Sequence, residues 1–365
     1  MSSPLCGRRV TSRETRRTEL TSWQGAGPQA LLVSTLVQPN GSRLIVEPDD
    51  GLDPVREFIG SAQSTLQVKQ FTFTDESLIA AVIDRKRAGV DVRVMLNAAR
   101  SGGDRANDET YAQFEAAGIA VQWANPNFYV THEKSIVVDG SAALVATFNL
   151  CEKYFTRTRD YGVITTDPQH VAQIVEVFNA DWDHTDWVQS EHHGLSWSNS
   201  NSRLDMAQFI DSATWRLDVQ HPKFVDAVIL DRIVDAAHRG VKVHVLCGGK
   251  HGISEWDVLD TFASLRTLRR FGVKVHKQKN LRVHAKLLIV DDERAFVGSM
   301  NIDRSAFDLR RELGVVTADP AVVARLKTVF EEDWALSHQY EPPDPLNAAE
   351  HHEDDFPHDP DLMHE

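Results

Sequence analysis

A duplicated segment constrains this chain more than any other feature of its sequence. Residues 130–140, VTHEKSIVVDG, are echoed by residues 282–292, RVHAKLLIVDD. The same offset, 152 residues from His132 to His284, also relates TTDP to TADP and VFNADW to VFEEDW further along. Upstream, AGVDVRVML and RGVKVHVL align at an offset of 151 residues. A register kept over so many points predicts two homologous halves.

The domain organisation follows from this repeat, because 365 residues suffice for two such halves. We predict residues 43–187 as the first half, residues 188–203 as a polar linker and residues 204–340 as the second half. Residues 1–42 form a polar, basic lead-in, interpreted either as a disordered tail or as a contact for anionic lipid. Residues 341–365 form an acidic, His-rich tail, interpreted either as solvated or as a transition-metal binder.

Composition limits the class of protein. Hydrophobic residues make up 42% of the chain and charged residues 25%, a balance typical of globular proteins. Three scattered cysteines indicate free thiols in a reducing compartment, and no apolar run approaches the ~20 residues of a membrane span. We therefore expect a cytoplasmic protein that is at most peripheral to a membrane. A net charge of −14 disfavours broad binding to nucleic acid.

Each half is predicted to alternate strands with helices. In the first half, TLQVKQFTF (65–73) and VDVRVML (90–96) are typical of strands, and DESLIAAVIDRKRAG (75–89) has the period of a helix ended by glycine. PQHVAQIVEVFNADW (168–182) closes the half as a further helix. This pattern predicts an α/β fold of two sandwich halves, each a mixed sheet flanked by helices.

The repeated segment predicts a cluster of polar groups in each half. Residues two apart in a strand share a face, so each His is expected to point the same way as the Lys that follows it. A hairpin with a two-residue loop at Gly140-Ser141 would place Asn149 of the return strand opposite His132. Thr147 would lie opposite Lys134, and the second half would form the equivalent pairs. The predicted clusters are His132, Lys134, Thr147 and Asn149 in the first half and His284, Lys286, Ser299 and Asn301 in the second.

Two aspartates of the repeat are interpreted differently. Asp139 and Asp291 lie an odd number of residues from their His, so strand alternation places them on the opposite face. We interpret them as turn or structural residues that do not touch a substrate.

The chemistry of these clusters suits a phosphate. Lys supplies charge, while Asn and a hydroxyl supply directed hydrogen bonds. His acts as a nucleophile or a general acid near neutral pH, because its unperturbed pKa is ~6.5. Two clusters meeting across an internal twofold axis would form one site with a His on each side of a phosphorus atom.

The repeated pattern resembles the phospholipase D superfamily, which is marked by H-x-K-x4-D-x6-G-S-x-N occurring twice. HAKLLIVDDERAFVGSMN (284–301) matches every marked position, whereas HEKSIVVDGSAALVATFN (132–149) has Ala146-Thr147 in place of Gly-Ser. The resemblance covers roughly residues 45–335 and is strongest to cardiolipin synthase-like phosphatidyltransferases. The Ala146-Thr147 departure predicts a slightly reshaped phosphate pocket in the first half.

The resemblance implies roles for further residues. Asp160 and Glu312, each 28 residues after its His, correspond to the acids that hold the catalytic imidazoles. His132 is the implied nucleophile of a phosphohistidine intermediate and His284 the general acid, with no metal or other cofactor. The equivalent Arg159 and Arg311 either add charge near the phosphate, pair with those acids or serve only as structural ion-pair partners.

Three functions are weighed. The first is phosphodiester hydrolysis or transphosphatidylation on a phospholipid substrate, with water or an alcohol as acceptor. The second is a nuclease of the same superfamily, which would need a basic groove. The third is a non-catalytic binding protein on the same scaffold. The acidic net charge and the single-chain duplication favour the first function.

Overall fold

The computed structural model describes residues 41–350 apart from 100–102, 190, 192, 251–252 and 254. The interpretations made for the basic lead-in up to residue 40 and for the His-rich tail from residue 351 lie outside the described residues. Within the described part of the chain, no helix is long and apolar enough to cross a membrane.

The first half contains one mixed sheet with strand order β1-β7-β6-β5-β2-β3-β4. Its parallel strands β2, β3 and β4 are linked by helices, and β5, β6 and β7 follow as an antiparallel meander. The strands are β1 (Arg43–Glu47), β2 (Thr65–Gln70), β3 (Asp91–Leu96), β4 (Ala120–Trp123), β5 (Ser135–Val138), β6 (Ala142–Ala146) and β7 (Thr158–Thr165). The helices are α1 (Asp53–Gly60), α2 (Glu76–Arg87), α3 (Asp108–Ala116), α4 (Glu152–Thr156) and α5 (Pro168–Trp182).

The second half repeats this plan, with strand order β16-β11-β10-β9-β13-β14-β15-β8. Its strands are β8 (Leu195–Trp197), β9 (Arg216–Gln220), β10 (Lys242–Cys247), β11 (Lys274–Lys277), β12 (Arg282–Val283), β13 (Leu287–Val290), β14 (Arg294–Gly298), β15 (Leu313–Thr317) and β16 (His338–Gln339). Its helices are α6 (Ser202–Asp211), α7 (Ala227–His238), α8 (Glu255–Arg270), α9 (Arg304–Asp308) and α10 (Pro320–Leu336). The prediction of mixed sheets flanked by helices is confirmed.

Local sequence signals explain where the closing helices begin. Asp167 and Asp319 each precede a Pro, and each carboxylate accepts backbone N–H groups of the first turn of α5 or α10. Such an N-cap satisfies donors that have no partner within the helix, and Pro at the first helical position lacks the N–H that would otherwise need one. The duplicated segments TTDP and TADP are therefore helix-start signals.

One apolar core is shared by the two halves. It joins the inner faces of both sheets to α5 and α10, and it contains residues of both halves, such as Val145, Tyr161, Val297 and Leu313, none more than 1% exposed. Strand β6 lies against β14 in this core. Each half also has its own core on the outer face of its sheet. The two copies of the repeated motif are thereby held together by apolar burial, the main driving force of folding.

The structure corrects the predicted hairpin register by one residue. Ser135 pairs with Val145 and Val138 with Ala142, so the loop has three residues, Asp139 to Ser141, and not two. The second hairpin has the same register, with Leu287 opposite Val297. The expected pairing of His132 with Asn149 is therefore wrong.

The predicted linker also contains regular structure. Strand β8 lies within residues 188–203 and pairs with β15, forming an edge of the second sheet. Strand β12 belongs to the second half but pairs in parallel with β7 of the first half, so the two halves share this strand pair.

Candidate active site

The two His-bearing segments precede β5 and β13 and are held by the opposite half of the chain. The backbone N–H groups of His132 and Glu133 donate to the Arg311 carbonyl, at 2.8 and 2.9 Å. The N–H groups of His284 and Ala285 donate to the Arg159 carbonyl in the same way, at 3.2 and 2.9 Å. Each His is thus fixed beside a residue that immediately precedes the other half's acid.

The predicted acids hold the imidazoles, and they do so across the two halves. His132 Nδ1 lies 2.9 Å from Glu312 Oε2, and His284 Nδ1 lies 2.6 Å from Asp160 Oδ1. All four side chains are at most 4% exposed. A carboxylate at Nδ1 orients the ring and can stabilise an imidazolium, and each half supplies the acid that contacts the other half's His.

Burial dominates the electrostatics of Glu312. Its removal from solvent raises the pKa of the Glu312 carboxyl to about 7, although Lys134 and Arg310 act in the opposite direction. A carboxyl with this pKa changes charge within the pH range in which His also titrates.

The two lysines of the motif approach the histidines directly. Lys134 Nζ and Lys286 Nζ each donate to the carbonyl of the His two residues earlier, at 2.6 Å. Lys286 Nζ also lies 2.8 Å from His284 Nε2. Both lysines are at most 1% exposed. At His284, positive charge therefore lies beside Nε2, on the side of the imidazole that faces away from the acid.

The hydroxyl groups of Thr147 and Ser299, on the return strands, contact the acids that hold the imidazoles. Thr147 Oγ1 donates to Asp160 Oδ1 at 2.5 Å and accepts from the Tyr161 N–H. Ser299 interacts with Glu312, lowering that carboxyl's pKa, and accepts from the Leu313 N–H. In the structure these hydroxyl groups contact the orienting acids or their neighbours, and hydrogen bonding of Thr147 and Ser299 to a phosphate stays a prediction.

The return strands differ between halves where the motif departs from the family pattern. Ala146 lies opposite Gly162, whereas Gly298 lies opposite Gly314. A Cβ at Gly298 would lie 2.6 Å from Gly314 Cα and 2.8 Å from the Leu313 carbonyl, so only glycine fits there. Asn149 and Asn301 follow these strands and are at most 5% exposed.

The motif aspartates tie each hairpin to the strand beside it. Asp139 has a left-handed φ of 52° and Asp291 one of 54°. The Asp139 carboxylate accepts from the backbone N–H groups of Gln63, Ser64 and Thr65, and Asp291 accepts equivalently at Thr214 to Arg216. Against the effect of burial, these donors lower the pKa of Asp139 to about 2.

The two equivalent arginines pair across the halves and not with the orienting acids. Arg159 Nε lies 2.8 Å from Asp333 Oδ2, and Arg311 Nη2 lies 2.9 Å from Asp181 Oδ1. The prediction that they pair with Asp160 and Glu312 is therefore wrong. Their partners are the aspartates of the duplicated segments VFNADW and VFEEDW.

Several site residues were not predicted from the sequence. The Phe71 ring packs edge-on against His132 at 4.7 Å, and the Tyr154 ring contacts His284 at the same centroid distance. Lys69, fully buried, pairs with both Glu133 and Asp181. The equivalents of Phe71 and Tyr154 in the second half are Pro222 and Ala306, so the repeat carried no signal for either ring.

Within the described part of the chain, no three or more His, Cys, Asp or Glu side chains are grouped so that they could hold a metal ion. The site residues that the sequence predicted to come together are brought together as crossed His–acid pairs with a Lys beside each. Two such pairs on a duplicated α/β scaffold define a phospholipase D-like protein.

Comparison with known proteins gives the family. A family model described as "Cardiolipin synthase, PLD-like domain" matches residues 55–182 and again residues 206–334. The chain therefore belongs to this family, which confirms the predicted superfamily, the internal repeat and an enzyme of the phospholipase D type.

Individual relatives agree with this membership. A cardiolipin synthase of Staphylococcus aureus (strain Mu50) is 25% identical, over 83% of this chain and 69% of its own length. The major cardiolipin synthase ClsA of Bacillus subtilis is 23% identical, over 84% and 71%. The crystal structure of a phosphatidylserine synthase of Haemophilus influenzae superposes with a TM-score of 0.67 at 14% identity, covering 85% of this chain and 91% of that one. This last likeness concerns the fold alone.

Proposed function

We propose that this protein transfers the phosphatidyl group of a phospholipid to an alcohol or to water through a phosphohistidine intermediate. The observation that carries the proposal is the pair of crossed contacts, His132 with Glu312 and His284 with Asp160. Each contact orients one imidazole with a buried acid, and each imidazole can act as a nucleophile or as a general acid. Such a pair suits in-line displacement at phosphorus.

In the first step, His132 Nε2 attacks the phosphorus atom of the lipid. An N–P bond forms, the P–O bond to the head-group alcohol breaks, and the His284 imidazolium gives its proton to the leaving oxygen. Glu312 stabilises the positive charge that develops on His132. Lys134 and Lys286 neutralise the non-bridging oxygens of the phosphoryl group.

In the second step, the neutral His284 removes a proton from water or from an acceptor alcohol. The resulting oxygen attacks phosphorus, the N–P bond breaks, and His132 is released. Water as acceptor gives hydrolysis, and an alcohol gives a new phosphodiester. The relatives named as cardiolipin synthases support a phospholipid as donor and an alcohol as acceptor.

A product assay tests this proposal. Phosphatidylglycerol, phosphatidylcholine and single-stranded DNA are offered separately to the wild type and to His132→Ala and His284→Ala. We expect lipid turnover in the wild type and a loss of at least a thousandfold in both variants. His238→Ala, at the exposed end of α7, is the matched control and is expected to retain full activity. Lipid turnover that survives in both site variants would refute the mechanism, and cleavage of DNA alone would make the protein a nuclease.

Full turnover is also expected in the presence of a chelator, because the proposed steps use only imidazole, carboxyl and ammonium groups. Activity that disappears with chelator and returns with added metal would contradict this mechanism.

A further inference from the structure

One buried cation beside the site forms no direct ion pair with any of the residues that the structure describes. Arg310 is 8% exposed, and its Nε is buried without a hydrogen-bond partner. Among the described residues, its guanidinium group forms no hydrogen bond and no ion pair. A buried guanidinium is costly unless its charge and donors are met, so its isolation calls for an explanation.

The other buried arginines near the site are all paired. Arg159 is bound to Asp333 and Asp49, and Arg311 to Asp181. The contrast is local, since Arg310 and Arg311 are neighbours in the chain. The missing partner of Arg310 therefore does not reflect a general shortage of acids at the boundary between the halves.

The acids closest to Arg310 are already engaged. Glu312 and Asp303 both interact electrostatically with Arg310. The positive charge of Arg310 lowers the pKa of both carboxyl groups, whereas their burial raises it. Asp303, however, is bound to Lys223 Nζ at 3.0 Å and caps α9, and Glu312 is bound to His132. Neither acid gives Arg310 a direct ion pair, so a positive charge remains next to the Glu312–His132 pair.

The backbone at Arg310 is firmly held. Its N–H donates to the Ser305 carbonyl at 3.0 Å, and its own carbonyl accepts from Ser198 Oγ. Ser198 also accepts from the Glu312 N–H at 2.7 Å. The guanidinium is thus positioned on a fixed support two residues from a catalytic acid, as pre-organised binding groups are.

The internal repeat shows that this cation is an addition to one side of the site. The equivalent residue in the first half is Thr158, whose hydroxyl donates to Asp160 Oδ2 at 2.6 Å. Thr158 therefore supports the acid directly and carries no charge. The positive charge of Arg310 breaks the pseudo-twofold symmetry on the side of His132.

We propose that Arg310 binds a phosphate group of the substrate and so distinguishes phosphate-bearing from uncharged partners on one side of the site. A planar guanidinium matches phosphate oxygens in a bidentate manner and stays charged at any working pH. The phosphate belongs either to the donor lipid or to a phosphate-bearing acceptor alcohol such as a second phosphatidylglycerol. This inference rests on the proposed transfer function and gives it a specificity determinant.

The test compares acceptors with and without phosphate. With phosphatidylglycerol as donor, transfer to a second phosphatidylglycerol and transfer to ethanol are measured for the wild type, Arg310→Gln and Arg310→Lys. We expect Arg310→Gln to raise the KM for a phosphate-bearing substrate about tenfold to a hundredfold, since a hydrogen bond to a charged group contributes about that much. Arg310→Lys is expected to recover part of the loss. Arg304→Gln removes an 88% exposed arginine of the same segment and is the control.

The pattern of KM values identifies the source of the phosphate. A rise confined to the phosphatidylglycerol acceptor assigns Arg310 to the acceptor's phosphate. A rise in the donor's KM with either acceptor assigns it to the donor's phosphate. A fall in kcat with every KM unchanged, accompanied by a shifted pH profile, would show that Arg310 acts only on Glu312 and would overturn the proposal, as would unchanged kinetics.

Failure of the transfer function itself would be visible separately, as a wild type without lipid turnover. In that case, binding of inorganic phosphate to the full-length protein, followed by calorimetry, decides the matter for Arg310. Weaker phosphate binding by Arg310→Gln than by Arg304→Gln supports the proposal, and equal binding overturns it. Thermal melting of each variant verifies that it is folded.

Discussion

At the scale of single residues, burial decides the charge of the carboxyl groups around the site. Glu47 lies opposite Asp160 in the β1–β7 ladder and is fully buried. Burial first, and then the charge of Asp160, raise the pKa of Glu47 to about 9. Glu47 is therefore a neutral acid at pH 7, whereas the neighbouring Asp160 serves His284.

Glu47→Gln is expected to stabilise the protein at alkaline pH. Because the pKa of Glu47 is raised in the folded state, the folded protein binds more protons than the unfolded one between about pH 4.5 and 9, and stability falls as pH rises through that window. Gln keeps the shape and removes this loss. At pH 5 the wild type and the variant should have similar melting temperatures. At pH 9 the variant should have the higher melting temperature. Equal pH dependence of both proteins would contradict a neutral Glu47.

Glu312 gives a prediction about activity. In the proposed mechanism a Glu312 carboxylate stabilises the His132 imidazolium. Because burial raises the pKa of Glu312 to about 7, this carboxylate is lost as pH falls below that value, and kcat/KM should decline on the acid side of pH 7. Glu312→Gln should lower kcat about a hundredfold to ten-thousandfold, because the amide keeps a contact but not the charge. Asp308→Asn, on the exposed side of α9, is the control. A Gln variant with wild-type kcat would remove Glu312 from the mechanism.

At the scale of structural elements, the hairpins show where sequence reasoning succeeds and where it stops. The apolar runs and the glycine signal place the strands and helices of the first half close to their observed bounds. The loop is one residue longer than predicted. Asp139 and Gly140 have left-handed backbones and the Ser141 N–H donates to the Val138 carbonyl, but Val138 pairs across the ladder with Ala142, which leaves Ser141 as the additional residue. Strand alternation then assigned the wrong opposing residues, since a one-residue slip changes every pair.

The crossed contacts could not be read from the sequence either. His132 and Glu312 are separated by 180 positions, and no local pattern says which of two equivalent acids each imidazole meets. The residue types of the site were nevertheless predictable, because the repeat selects them twice. The unpredicted Phe71 and Tyr154 occur in one copy only.

The return strands offer a test at this scale. Gly298→Ala is expected to lower the free energy of unfolding by about 1–3 kcal/mol, because the new Cβ would collide with the backbone of β15. It should also lower activity, since Ser299 and its contact to Glu312 would move. Ala146→Gly is the matched change in the other half and should preserve activity. Chemical denaturation and the lipid assay check both effects, and a fully active, stable Gly298→Ala would contradict the tight packing.

At the scale of the whole molecule, buried polar pairs cross the boundary between the halves in addition to the shared core. Arg159 reaches Asp333, Arg311 reaches Asp181, and Tyr161 donates to Gln220 across the same boundary. Burial works against ionised Asp181, but Lys69 and Arg311 lower its pKa. These contacts fix how the two halves meet and therefore where each His finds its acid.

Removing one partner of a buried pair should be costly here. Arg159→Met is expected to lower the free energy of unfolding by about 3–5 kcal/mol, because Asp333 would keep a buried charge with less compensation. Arg87→Met, which breaks an exposed pair with Asp84, should change it by less than about 1 kcal/mol. Urea denaturation measures both. Similar small losses in the two variants would show that the halves are held by apolar contacts alone.

The crossing of the catalytic pairs has a consequence for how such a chain changes over generations. A substitution at Asp160 removes the acid that contacts His284, which lies 124 positions away in the other copy. Neither half holds a complete His–acid pair of its own, so the loss of one acid removes the partner of a His in the other copy. The crossing therefore makes the two copies of this duplication mutually dependent.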